Sequence, residues 1–149
     1  MKVIYLILLL LISIAVYTDM TKTVISNRLI IVSLILGLLF RIFGEGKVGV
    51  LVYIVNISIP VILLYLLFCM RALGAGDIKL FSVIGAFIST EQLLHIMVMA
   101  FVTGAVIGVA KLVYIKLFSG CVPGKLTQIH FSPAILIAYF VSIWRCVNG

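Results

Sequence analysis

The chain has few charged residues, and acidic residues are the scarcest of them. Of its 149 residues, 10% are charged and four are acidic, whereas 65% are hydrophobic and the mean hydropathy is +1.42. Soluble domains carry about 25% charged residues, so this composition excludes an ordinary soluble protein. The chain is predicted to lie in a lipid bilayer.

Long polar stretches are also missing. No linker, repeat or low-complexity tract separates the apolar runs, so we predict one membrane-embedded domain over residues 1–149. The predicted fold is an all-α integral membrane protein with about six transmembrane helices in one compact bundle. The first run lacks the small-residue cleavage site of a signal peptide, so it is predicted to be a helix of the domain. The six runs cover residues 3–17, 29–43, 48–70, 78–89, 93–118 and 131–147.

Paired cysteines are absent. Cys69, Cys121 and Cys146 are odd in number and have no C-x-x-C spacing, which argues against a disulfide framework and a zinc site. Glu91 and His95 are spaced i, i+4, but two ligands fall short of the three or four that zinc takes from a protein. We therefore predict no metal and no other cofactor.

Basic residues outnumber acidic ones and give a net charge of +7. They flank the apolar runs, which indicates orientation by the positive-inside rule and contact with anionic lipid rather than with nucleic acid. The joints after the first, third and fifth runs form one face, which carries seven of the eleven basic residues and is predicted to be cytoplasmic. These seven are Lys22, Arg28, Arg71, Lys79, Lys111, Lys116 and Lys125.

Both aspartates of the chain, Asp19 and Asp77, fall on this predicted cytoplasmic face. An ionised group in hydrocarbon costs roughly 2.5–3.5 kcal/mol, so acids near membrane depth are candidates for function. Two adjacent carboxyls share one proton, and the ionised member can then activate water while the protonated member binds a scissile carbonyl. We predict Asp19 and Asp77 to be the catalytic pair of a hydrolase.

The run over residues 78–89 is short, and two glycines precede it. It would form about 18 Å of helix, less than a hydrocarbon core of about 30 Å, so upstream residues are predicted to lie at membrane depth. Gly74 and Gly76 leave the backbone free to bend and let a peptide approach Asp77. An alternative stays open, in which Asp77 is a helix N-cap after a turn and Asp19 begins a polar loop.

Three stretches resemble the type IV prepilin peptidases, which are GxGD membrane aspartic proteases. The run GAGDIKL, residues 74–80, matches the family pattern G-x-G-D-x-K-L. The stretch DMTKTVISNRLI, which begins at Asp19, is similar to a family stretch that contains Ile-Pro-Asn; Ile25 and Asn27 are in register, and Ser26 stands where the family has proline. Phe131 and Pro133 resemble the start of the family's last helix.

The resemblance implies an endopeptidase that removes the leader of prepilin-like substrates, of pilin, Flp or preflagellin type, at the cytoplasmic face of the cell membrane. Asp19 and Asp77 would be catalytic, and the supporting motif residues would be Gly74, Gly76, Lys79 and Asn27. Long members add a region with paired C-x-x-C motifs and N-methyltransferase activity. No such region is found in this sequence, so the short form, which cleaves without methylating, is expected.

Two further alternatives stay open. Gly104 and Gly108 form a G-x-x-x-G pattern, which is typical of close helix packing inside a monomer or at a homo-oligomer contact. The alternative function is a small non-enzymatic membrane transporter or assembly subunit with Asp77 in a proton or cation path. It would conduct protons or cations and cleave no peptide.

Overall fold

The computed structural model describes residues 2–22, 26–70, 73–118 and 131–148, and all regular structure in these ranges is helical. The predicted all-α class is confirmed for this part of the chain. Predictions for Ile25, Arg71, Cys121 and Lys125 lie outside the described residues. The helices are α1 (Lys2–Lys22), α2 (Asn27–Cys69), α3 (Ala75–Phe87), α4 (Thr90–Phe118) and α5 (Ser132–Asn148).

Helix α2 reverses its direction at Gly46. Its 43 residues would extend about 65 Å as a straight rod, yet the Tyr53 hydroxyl donates to the Leu34 carbonyl at 2.8 Å. Gly46 has φ 61° and ψ −138°, a conformation open to glycine because it lacks a Cβ atom. Helix α2 therefore consists of two antiparallel arms, residues 27–45 and 47–69. The joint that the sequence predicts between the second and third apolar runs is reduced to one non-helical residue, Gly46.

Within the described residues, three helices, α1, α2 and α4, are long and apolar enough to cross a membrane, and Ser132–Arg145 is a shorter apolar helix. Helix α3 has 13 residues and rises only about 20 Å. The prediction of six spanning helices in one compact bundle is thus not confirmed. Large apolar side chains such as Leu6, Ile35 and Val102 are exposed on the long helices, as expected for surfaces that contact lipid tails.

Helix α3 lies at the centre of the described structure. Every residue from Leu80 to Phe87 is buried, mainly against the two arms of α2. The Ser82 hydroxyl lies 3.2 Å from the carbonyls of Ile57 and Ile78, so this buried polar group is satisfied. Because residues 80–87 are all buried, packing fixes the axis of α3 and thereby the position of its first turn.

A polar network holds the C-terminal end of α3. The Ile88 carbonyl accepts hydrogen bonds from Arg41 Nη2 at 2.6 Å and from Asn56 Nδ2 at 2.8 Å. The Asn56 side-chain oxygen accepts in turn from the Thr90 hydroxyl at 2.7 Å, and Arg41 pairs with Glu45 at 2.8 Å. This network ties the reversal of α2 to the joint between α3 and α4.

Candidate active site

Asp77 lies in the first turn of α3. Gly74 is the N-cap residue with φ −78° and ψ 149°, and the Asp77 N–H donates to the Gly74 carbonyl at 3.2 Å. The N-cap alternative for Asp77 is therefore wrong. A carboxylate in the first turn is favoured by the helix dipole, but Asp77 is only 9% exposed, so its environment also restricts water.

The glycines before Asp77 do not form the flexible joint that the sequence suggested. Gly76 is inside α3, and among the described glycines Gly46 is the one with a positive φ. The absence of a side chain at Gly74 leaves space, because a Cβ atom there would lie 3.2 Å from Asp77 Oδ2. Gly74 thus gives room to the Asp77 carboxyl.

Asp19 lies inside the last turn of α1 and is half-buried. The sequence predicted that the helix would end before it. The helix continues to Lys22, and within it the hydroxyls of Thr18 and Thr21 donate to the carbonyls of Ala15 at 2.9 Å and Tyr17 at 2.8 Å. An acid at a helix C-terminus is disfavoured by the helix dipole, so Asp19 gains no stability from its place in α1.

Ser132 connects the two aspartates. Its Oγ lies 2.7 Å from Asp19 Oδ2 and 3.1 Å from Asp77 Oδ1, and the residue is 0% exposed. Asp19, Asp77 and Ser132 come from α1, α3 and α5, so the end of the first helix and the starts of the other two meet at one point. Sequence reasoning missed Ser132, although it noted the residues on either side of it.

An aromatic cluster fixes the start of α5. The Phe131 ring lies 6.4 Å from that of Phe81 and 5.5 Å from that of Phe101, measured between centroids. A Cβ atom at Gly104 would overlap the Phe131 ring, so this glycine packs inside the chain. The homo-oligomer contact through Gly104 and Gly108 stays a prediction.

Lys79 and Asn27, the two polar residues of the supporting motifs, contact each other. Lys79 Nζ donates to Asn27 Oδ1 at 2.9 Å and so joins α3 to the start of α2. Ser26, just before Asn27, has φ −62° and ψ 123°. A proline ring fixes φ at about −65°, so Ser26 has the backbone shape that the family's proline would impose.

The group of Asp19, Asp77 and Ser132 can perform acid–base chemistry. One member of a carboxyl pair can take a proton from water while the other donates a hydrogen bond to a substrate carbonyl. In the described ranges there is no group of three or more His, Cys, Asp or Glu side chains that could hold a metal ion. Glu91 and His95 line a separate open cavity of about 650 Å³ with Arg145.

An apolar groove of about 470 Å³ is lined by α4 and by residues that adjoin the site segments in sequence. Its lining includes Leu73, directly before Gly74, and Phe131, directly before Ser132. Gly104 and Gly108 form part of its floor on α4. The groove therefore joins apolar surface to the segments that carry the polar group.

Comparisons with known proteins identify the family to which the sequence is similar. The pattern of the type IV leader peptidase family matches residues 5–109, a range that contains both aspartates and excludes Ser132. A prepilin leader peptidase/N-methyltransferase from Legionella pneumophila is 33% identical over 82 residues, which cover 55% of this chain and 26% of that protein. The chain thus matches about a quarter of the length of this relative. No solved structure is significantly similar to the chain.

Proposed function

Because the chain belongs to the type IV leader peptidase family, we propose that it is a membrane aspartic endopeptidase that cleaves the leader from prepilin-like substrates. Asp19 and Asp77 are the proposed catalytic pair. The family supports peptidase activity in general, and the name of the Legionella pneumophila relative suggests the class of substrate. The proposal covers peptide cleavage alone.

One observation carries the catalytic assignment: a single buried hydroxyl lies within 3.1 Å of both carboxyls. Two adjacent carboxyls can share one proton, so that one member acts as acid and the other as base in peptide hydrolysis. Packing of α3 and the position of α5 hold the two carboxyls at this hydroxyl.

The proposed reaction is the attack of water on the scissile carbonyl. The ionised carboxyl takes a proton from the water molecule while the water oxygen bonds to the carbonyl carbon. The protonated carboxyl hydrogen-bonds to the carbonyl oxygen, where negative charge develops. When the C–N bond breaks, the leaving amine takes a proton from the pair, and the pair returns to its starting state with one proton.

The active site is proposed to lie on the cytoplasmic side of the cell membrane. Support comes from two basic residues. Arg28 lies at the start of α2, and Lys79 lies near the start of α3, two residues after Asp77. The positive-inside rule assigns such a face to the cytoplasmic side. Lipid is therefore a proposed partner, and nucleic acid is not.

Co-expression with a candidate prepilin tests this function. The substrate should carry a basic leader, a glycine and then an apolar helix, and cleavage is read by mass spectrometry of its new N-terminus. Wild-type protein is expected to remove the leader. Proton-coupled flux in vesicles without any cleavage would instead support the transporter alternative.

A further inference from the structure

We propose that Ser132 is a positioning residue that bridges the two carboxyls and holds them in the arrangement in which they share one proton. This inference rests on the proposed function and adds a third residue to the proposed site.

The number of hydrogens supports the one-proton state. A serine hydroxyl donates one hydrogen bond and accepts through its lone pairs. Ser132 Oγ lies within hydrogen-bond distance of both carboxyls, at 2.7 Å and 3.1 Å. Two ionised carboxylates would leave one contact without a hydrogen, whereas one protonated carboxyl supplies the second hydrogen.

The hydroxyl is fixed by the chain around it. Ser132 is 0% exposed, and its neighbour Phe131 packs against Phe81 and Phe101. The Ala134 carbonyl, in the same turn, accepts a hydrogen bond from the Thr103 hydroxyl at 3.2 Å. These contacts let Ser132 set the relative orientation of two carboxyls that belong to different helices.

The test compares kcat and KM of purified variants in lipid nanodiscs with a synthetic prepilin-like peptide. Ser132→Ala removes the hydroxyl with almost no change in volume, and kcat is expected to fall roughly 10- to 100-fold with KM within about twofold. Ser132→Thr restores a hydroxyl and is expected to recover most of this loss. Ser82→Ala is the matched control, because it removes another buried serine hydroxyl that bonds only to backbone carbonyls in the described contacts.

A second readout does not depend on turnover. At the pH of maximal activity, infrared spectra of the wild type should contain the carbonyl band of a protonated carboxylic acid. Ser132→Ala should shift this band, because the protonated carboxyl loses the hydroxyl that bridges the pair. A band that Ser132→Ala leaves unchanged overturns the positioning role.

The kinetic outcomes separate the two proposals. If Ser132→Ala keeps kcat within about twofold of wild type, the positioning role is wrong and the catalytic pair stands. A loss that Ser82→Ala shares, or that Ser132→Thr does not recover in protein of normal yield, assigns Ser132 to packing and also overturns the role. Wild-type cleavage by Asp19→Asn or Asp77→Asn overturns the proposed function itself.

Discussion

The hydroxyl of Ser132 lies 2.7 Å from Oδ2 of Asp19 and thereby joins the first turn of the last helix to the last turn of the first helix. The second aspartate, Asp77, contacts the same hydroxyl from the central helix. The polar group is therefore complete only when α1, α3 and α5 are in register. Substitutions far from the carboxyls should affect it if they move one of these helix ends.

Gly104→Ala is expected to move the start of α5. The added methyl group would overlap the Phe131 ring, and overpacking of this kind costs about 1–3 kcal/mol of unfolding free energy. Both thermal stability in detergent and the rate of leader cleavage should fall. The control is Gly44→Ala, where nothing lies within 4 Å of the new Cβ atom. Equal effects of the two substitutions would exclude the Phe131 contact as the cause.

Ser26→Pro is expected to stabilise the protein. Ser26 already has φ −62°, and a proline in a compatible conformation gains about 0.4–1 kcal/mol by restricting the unfolded chain. Chemical unfolding in detergent measures the change. Ser58→Pro, inside the second arm of α2, serves as the contrasting variant and should cost about 3 kcal/mol or more. A destabilised Ser26→Pro protein would show that proline cannot replace serine at this joint.

Lys79 and Asn27 should be energetically coupled. Their side chains form a hydrogen bond of 2.9 Å, but Lys79 is exposed, so the coupling energy is expected to be about 0.2–1 kcal/mol. A double-mutant cycle with Lys79→Met and Asn27→Ala, read as unfolding free energy, measures it. Strictly additive effects would mean that the contact contributes nothing to stability.

The proposed orientation of the chain predicts which positions react from outside the cell. In a variant with all three cysteines replaced, Lys47→Cys lies next to the reversal of α2 at Gly46, and Met20→Cys lies next to Asp19. Membrane-impermeant maleimide should label the first in intact cells and the second only after permeabilisation. The opposite pattern would place the carboxyl pair outside the cytoplasm.

Much of this arrangement follows from local sequence signals. Apolar runs give the helices, and the GAGDIKL stretch places Asp77 at the start of a short one. Helix ends are harder to predict, because a helical backbone can continue beyond the end of an apolar run. Helix α1 continues past Asp19 to Lys22, and α2 is helical on both sides of Gly46, where the apolar pattern predicts joints.

The role of Ser132 was not visible in the sequence. Serine is a common residue with many uses near helix starts, and its partners here depend on where α5 begins relative to α1 and α3. That position is set by tertiary packing of Phe131 against Phe81, Phe101 and Gly104. A bridge between helices that are distant in sequence has no local signal from which it could be predicted.

The most direct test of the central claim is the cleavage rate of Asp19→Asn and Asp77→Asn proteins, purified and reconstituted with a prepilin-like peptide. Glu91→Gln is the matched control, because it neutralises an exposed acid in the separate cavity of α4. Each aspartate variant is expected to lose at least about 100-fold in kcat, since loss of a general acid or base typically costs 10²–10⁴-fold, while Glu91→Gln keeps the wild-type rate. Folded Asp19→Asn or Asp77→Asn protein that cleaves at the wild-type rate would contradict the account.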